Sequence, residues 1–91
     1  MNERAELRRC EGFHVLAEDG LVGEVAESLV PPDRDEPDYL VVRVPGRLLR
    51  SRLPVVSTAL VSGLDSARRV VWVRGSQGEI ASLPEHVPVT L

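Results

Sequence analysis

The sequence predicts an all-β fold, a small β-barrel of about six strands with one short C-terminal helix, and three observations carry that expectation. Short apolar runs recur at intervals of about ten residues between clusters of turn chemistry, the spacing expected of a small barrel or sandwich. The apolar material is aliphatic and largely β-branched, with fifteen Val and twelve Leu against one Phe, one Trp and one Tyr, and such residues favour strands. Asp19-Gly20 falls between two of the runs, and this pair is preferred where a hairpin turn needs positive φ.

Residues 1–10 carry charges of both signs around Leu7 without a capping residue. They are expected to be a mobile lead-in, or at most a short turn of helix, ahead of a domain spanning 11–84, with 85–91 as a tail. Phe13 to Leu16 reads as the first strand. Leu21 to Val30 returns from the Asp19-Gly20 turn, and strict alternation would put Leu21, Gly23, Val25 and Leu29 on the apolar side, with Glu24 and Ser28 opposite. Gly23 on that side leaves room for a bend or a close crossing by another strand.

The run from Pro31 to Asp38, rich in proline and charge, reads as the longest loop. Tyr39 to Val44 follows as a central strand, with Leu40, Val42 and Val44 on one face and Tyr39, Val41 and Arg43 on the other. Pro45-Gly46 turns the chain. Leu48 to Leu53 should place Leu49, Ser51 and Leu53 inward and Arg50 and Arg52 outward, and Pro54 ends it for lack of a ladder donor. A single helical turn is expected within Val55 to Leu60, then a short edge strand at Val61 to Leu64, a turn at Asp65 to Arg68 and a last strand at Arg69 to Arg74. Ser76-Gln77-Gly78-Glu79 matches a capping box, so a short helix should run to Ser82 or Leu83 and stop before Pro84.

A chain of 91 residues is one domain with a small core. Its eleven basic residues are all Arg, and fourteen acids leave a net charge of −3. An acidic average argues against tight general binding to nucleic acid, which rests on neutralising several phosphates at once. Cys10 is the single cysteine, so no disulfide forms within the chain, and a reducing cytoplasm is the expected compartment. The stretch MNERAELRRC lacks the apolar segment of a signal peptide, and no apolar run approaches the roughly 20 residues of a membrane helix, so no membrane insertion is expected.

The stretch AEDGLVGEV, residues 17–25, combines two glycines and three carboxylates. A dinucleotide fingerprint requires its glycines between a strand and a helix, whereas Gly20 and Gly23 lie between two strands. Glu18, Asp19 and Glu24 do not supply the ordered oxygen ligands of a calcium loop. A hairpin turn followed by a bend glycine accounts for the segment. Cys10 and His14 are spaced for metal ligation from a helix, but only His86 could join them, short of the usual four zinc ligands. Ser57, Thr58, Ser62 and Ser76 have no nucleophile-elbow context, so neither a catalytic residue, a metal nor a cofactor is expected.

The candidate partner-binding residues are Arg43, Arg47, Leu48, Leu49, Arg50 and Arg52, four cations and two leucines around one turn. The plain reading is the solvated outer side of a strand. The functional reading is a surface for an anionic partner with Leu48 and Leu49 as apolar anchor. Trp72, one of three aromatics, fits a core position better than a binding surface.

Gly12-Phe13-His14-Val15 leads to Asp19-Gly20-Leu21-Val22-Gly23-Glu24-Val25, then to Pro37-Asp38-Tyr39-Leu40-Val41-Val42 after a variable loop. Leu53-Pro54-Val55-Val56-Ser57-Thr58-Ala59-Leu60 and Val70-Val71-Trp72-Val73 follow, with the helix at Ser76. In order and spacing this resembles the PRC-barrel domain, named for the cytoplasmic part of the photosynthetic reaction centre H subunit, over residues 11–84. The resemblance implies a protein-interaction module with no catalytic residues. Family members occur beside photosynthetic membranes, as the partner-binding domain of a ribosome-maturation factor, and as small free-standing proteins. This sequence shows neither the membrane helix of the first context nor the RNA-processing companion domain of the second. The leading expectation is therefore a free-standing cytoplasmic adaptor that binds another protein, a second copy of itself included. The alternative is an RNA- or ribosome-associated module using the Arg43 to Arg52 cluster.

Overall fold

In the computed structural model, which describes residues 6–46 and 51–85, strands dominate. They are β1 (His14–Ala17), β2 (Gly20–Leu29), β3 (Tyr39–Pro45), β4 (Ser51–Arg52), β5 (Val55–Ser57), β6 (Val61–Asp65) and β7 (Val70–Val73), followed by helix α1 (Gln77–Ala81). All seven strands belong to one sheet of order β4-β3-β2-β1-β7-β6, with β5 also paired to β3. Every pairing is antiparallel except β1 with β7, which is parallel. The all-β expectation with one short helix holds, with one strand more than the six expected.

One face of the sheet curls over a single core. Val15, Val25, Leu40, Val42, Val56 and Val71 fill it from five strands, and Ile80 of α1 covers one side. Burying a side chain of this kind stabilises by about 1.5–3 kcal/mol relative to leaving it in water. Leu7 and Cys10 also lie in this core. The part of residues 1–10 described here is thus a 3₁₀ turn, Leu7–Arg9, pinned to β2 by the Ser28 hydroxyl, which donates to the Leu7 carbonyl at 2.7 Å. The short turn of helix allowed for within residues 1–10 is thus present, and Leu7 and Cys10, an apolar pair spaced three apart, seat it on the core.

Three bulges break the strict alternation. Val15 stands opposite Gly23 but Leu16 opposite Leu21, so Val22 is the extra residue, and it turns into the core while Leu21 is 54% exposed. Ala26 is likewise unpaired between Val25↔Val42 and Glu27↔Val41, which brings Leu29 opposite Tyr39 and Ser28 opposite the buried Leu40. The expected inward Leu21 and outward Ser28 are both reversed, since each bulge adds one residue to a period of two. A third bulge at Ser62 lies on edge strand β6.

Val55–Ser57, expected within a helical turn, pairs with Tyr39–Val41 as β5, and only Thr58–Leu60 forms a 3₁₀ turn. Three consecutive residues with β-branched or small side chains next to a free strand edge are better satisfied by the ladder. The Thr58 hydroxyl, buried, lies 3.1 Å from the carbonyls of both Pro37 and Asp38 and so ties this turn to the end of the proline-rich loop. After α1 the chain returns to β5, where the Val55 N–H donates to the Pro84 carbonyl at 2.8 Å. In the β6–β7 turn, Arg69 adopts a left-handed φ of 59° and lays its guanidinium 5.5 Å from the centre of the Phe13 ring.

Candidate functional site

The acidic turn of AEDGLVGEV is fully occupied within the fold. Gly20 takes φ 138°, as the hairpin demands, and the Glu18 carboxylate accepts from the Gly75 N–H at 2.6 Å. Asp19 accepts from the Gln77 N–H at 2.7 Å, and the Gln77 side chain donates to the Leu21 carbonyl at 2.8 Å. Two carboxylates thus satisfy free donors before and at the first turn of α1, where backbone N–H groups lack partners. The capping box adds the reciprocal pair, Glu79 N–H to the Ser76 hydroxyl at 3.1 Å and Ser76 N–H to Glu79 at 3.2 Å. Gly23 is the close crossing: a Cβ there would overlap the Arg43 carbonyl oxygen.

That crossing presses β2 against β3 and shapes the outer side of the sheet. His14, Glu24 and Arg43 stand opposite one another across β1, β2 and β3. Arg43 and Glu24 form an ion pair at 3.1 Å, exposed and worth about 1 kcal/mol at most. Beside them His14, Leu21, Gly23, Glu24, Arg43 and Pro45 line a cleft of about 190 Å³. At the opposite end of the same strands, Glu27, Leu29, Val30, Pro31, Asp38 and Tyr39 line an open groove of about 490 Å³. Tyr39 is 47% exposed and Val30 37%. Tyr39 and Arg43 share the outer side of β3, with Leu29 and Glu24 opposite them on β2.

Of the residues singled out as partner-binding, Arg47, Leu48, Leu49 and Arg50 lie outside the described residues, as do His86, most of the expected tail and half of the expected fourth strand. Arg43 and Arg52 are both exposed. They do not share a side: Arg52 stands opposite Val44, which packs on the core, whereas Ser51 stands opposite Pro45, two positions from Arg43. This reverses the expected inward Ser51, and it places the cations on both sides of the β3–β4 ribbon. The pairing of Arg43 with Glu24 also lowers the positive charge available to a phosphate backbone.

Among the remaining chemical candidates, Cys10, Ser57, Thr58 and Ser76 have structural partners. Cys10 is buried, donates to the Leu7 carbonyl at 3.0 Å, and has its thiol pushed above its ordinary range by burial. His14 faces solvent on β1. No group of three His, Cys, Asp or Glu is arranged to hold a metal among the described residues. Ser57 accepts from the Ala59 N–H at 3.2 Å as a cap, Thr58 is tied to the loop, and Ser76 caps α1. Trp72 is half-buried against Gly63, where a Cβ would come within 3.2 Å of the indole Cε3. No helix among the described residues is long and apolar enough to cross a membrane.

Alternation in the sequence could not expose Leu21 or group it with His14, Arg43 and Pro45, because the bulge at Val22 decides which side Leu21 takes. The signal present was indirect: Gly23, a bare position inside a strand, marks where β2 leaves regular geometry. A search against the known protein families finds no match to this chain, and a search of the curated proteins finds none either.

Proposed function

We propose that the chain is a non-enzymatic protein-interaction module of the PRC-barrel type that works in the cytoplasm and binds its partner through the outer side of β1–β3. The cleft beside Leu21 carries this reading. At about 190 Å³ it falls below the roughly 300–1,000 Å³ of sites that enclose a small molecule, but it can admit one protruding side chain. Leu21 and Pro45 supply apolar surface, while His14, Glu24 and Arg43 form a polar rim, the arrangement of a protein-binding patch. The order of turn and strand motifs shared with PRC-barrel domains supports the same class.

The experiment is affinity capture from the native cell with the tagged full chain, quantified against Leu21→Glu. Leu21 is mostly exposed, so the variant should melt at the wild-type temperature. Loss of about tenfold or more of a specific co-purifying protein is the expected result. Equal recovery by both forms would remove this face from consideration. Recovery of RNA, reduced by Arg43→Ala and Arg52→Ala, would favour the nucleic-acid reading instead.

A further inference from the structure

A hollow that shares no residue with the β1–β3 face lies between the end of the Thr58–Leu60 turn, the exit of β7 and α1. It measures about 300 Å³ and is lined by Leu60, Arg74, Gly75, Glu79, Ile80 and Leu83, which brings it to the size at which sites begin to enclose a small molecule. Ile80 belongs to the core, and Leu60 and Leu83 pack against it, so the floor is aliphatic. The walls are held in place by the fold itself. The Arg74 N–H donates to the Leu60 carbonyl at 2.8 Å, the Leu83 N–H to the Ile80 carbonyl at 3.2 Å, and the Gly75 N–H to the Glu18 carboxylate at 2.6 Å. Two charged side chains of opposite sign line the hollow, and they are not paired with each other. Arg74 forms no ion pair among the described residues, whereas Arg8, Arg34, Arg43 and Arg68 each have one. Glu79 accepts from the Ser76 N–H through Oε1, which leaves Oε2 without a hydrogen bond to any described residue.

We infer that this hollow binds a free α-amino acid with an aliphatic side chain, its carboxylate on Arg74, its ammonium on Glu79 and its side chain against Leu60, Ile80 and Leu83. The planar guanidinium matches a carboxylate in a bidentate fashion, and an ammonium on Glu79 adds a second charge-assisted contact. Other ligand classes fit the lining less well. A simple anion would sit beside the Glu79 carboxylate, and a hydrocarbon would leave both charges unmet. A residue within a peptide has neither free group, and a residue at a chain end has one of the two. Bound in this way the ligand bridges α1 to the turn that precedes β6, a contact that exists only in the folded chain, so it should raise thermal stability in proportion to its occupancy.

Calorimetric titration and thermal melts of the full chain with L-leucine test it, alongside isocaproate, which lacks the ammonium, and isoamylamine, which lacks the carboxylate. L-Leucine should bind with a dissociation constant of about 1 mM or tighter and raise the melting temperature. Each analogue should bind about tenfold more weakly or worse, the usual effect of losing one hydrogen-bonded charge. Arg74→Gln and Glu79→Gln should each cause a loss of the same size for L-leucine. Both positions are exposed, and Gln at 79 still completes the capping box, so both variants should melt with the wild type when no ligand is present. A wild type that shows neither binding heat nor a melt shift at about 10 mM L-leucine overturns the inference. So does an analogue that binds as tightly as L-leucine, or a folded variant at either position that keeps the full affinity. The Leu21→Glu capture experiment addresses a different surface, so its outcome and this one are read independently.

Discussion

The Asp19 carboxylate accepts a hydrogen bond of 2.7 Å from the backbone N–H of Gln77, joining the turn of the first hairpin to the first residue of the last helix. Asp19→Ala should therefore destabilise the whole domain by about 1 kcal/mol, the usual worth of a capping carboxylate. Urea unfolding with an unchanged m-value would check it. A loss no larger than that of Asp33→Ala, an exposed loop change, would mean that the bond contributes nothing to stability.

Gly23→Ala sets a methyl group against the Arg43 carbonyl, so strands β2 and β3 must part. The expected cost is about 3 kcal/mol, at the upper end for an overpacked site. Gly78→Ala is the matched control, because nothing but the Ser76 hydroxyl, 4.0 Å away, meets the added Cβ, and it should gain up to about 1 kcal/mol from helix propensity. Denaturation midpoints of the two variants should move in opposite directions.

Burial raises the Cys10 thiol above its ordinary range, an effect partly offset by the Ser28 hydroxyl. The folded form therefore holds its proton more tightly than the unfolded chain. Stability from this source is complete below the unfolded thiol's value and declines as pH climbs past about 8.5. The difference in stability between wild type and Cys10→Ala should shrink across that window. Modification by a thiol reagent at neutral pH should be slow until denaturant is added, and rapid native labelling would contradict the packing described.

Thr58→Val keeps the volume of a buried side chain but removes the hydroxyl that bridges to Pro37 and Asp38. About 1–2 kcal/mol should be lost, mostly from the Pro37 carbonyl left without its partner. Proteolysis should then cut first within residues 31–38, where the wild type resists. Unaltered cleavage would show that the loop is held by other contacts.

Local chemistry made much of the fold legible. The turn at Asp19-Gly20, the Ser76–Glu79 capping box, the central position of β3 and the edge position of β6 each follow from residues adjacent in sequence. What escaped depends on partners far along the chain. Whether Val22 or Leu21 faces the core is set by a bulge opposite β1, and whether Val55–Ser57 is strand or helix is set by the free edge of β3. The same dependence hid the cleft, since His14, Leu21 and Arg43 come together only through two strand pairings and the crossing at Gly23. The arginines around the β3–β4 turn read as one cluster in sequence, yet Arg43 and Arg52 lie on opposite sides of the ribbon, which only the strand pairing decides.

The parallel pairing of His14–Leu16 with Val70–Trp72 governs the order in which the chain can assemble. The hairpin of β1 and β2 is local and can form within about 1–10 μs, yet one edge of β1 stays open until residues near 70 have been made. A ribosome adding about 5–20 residues per second leaves that edge unpaired for several seconds. The domain therefore commits to its final state only after synthesis has passed β7, and the interval before that is when an exposed β1 is most vulnerable to aggregation or to capture by a chaperone.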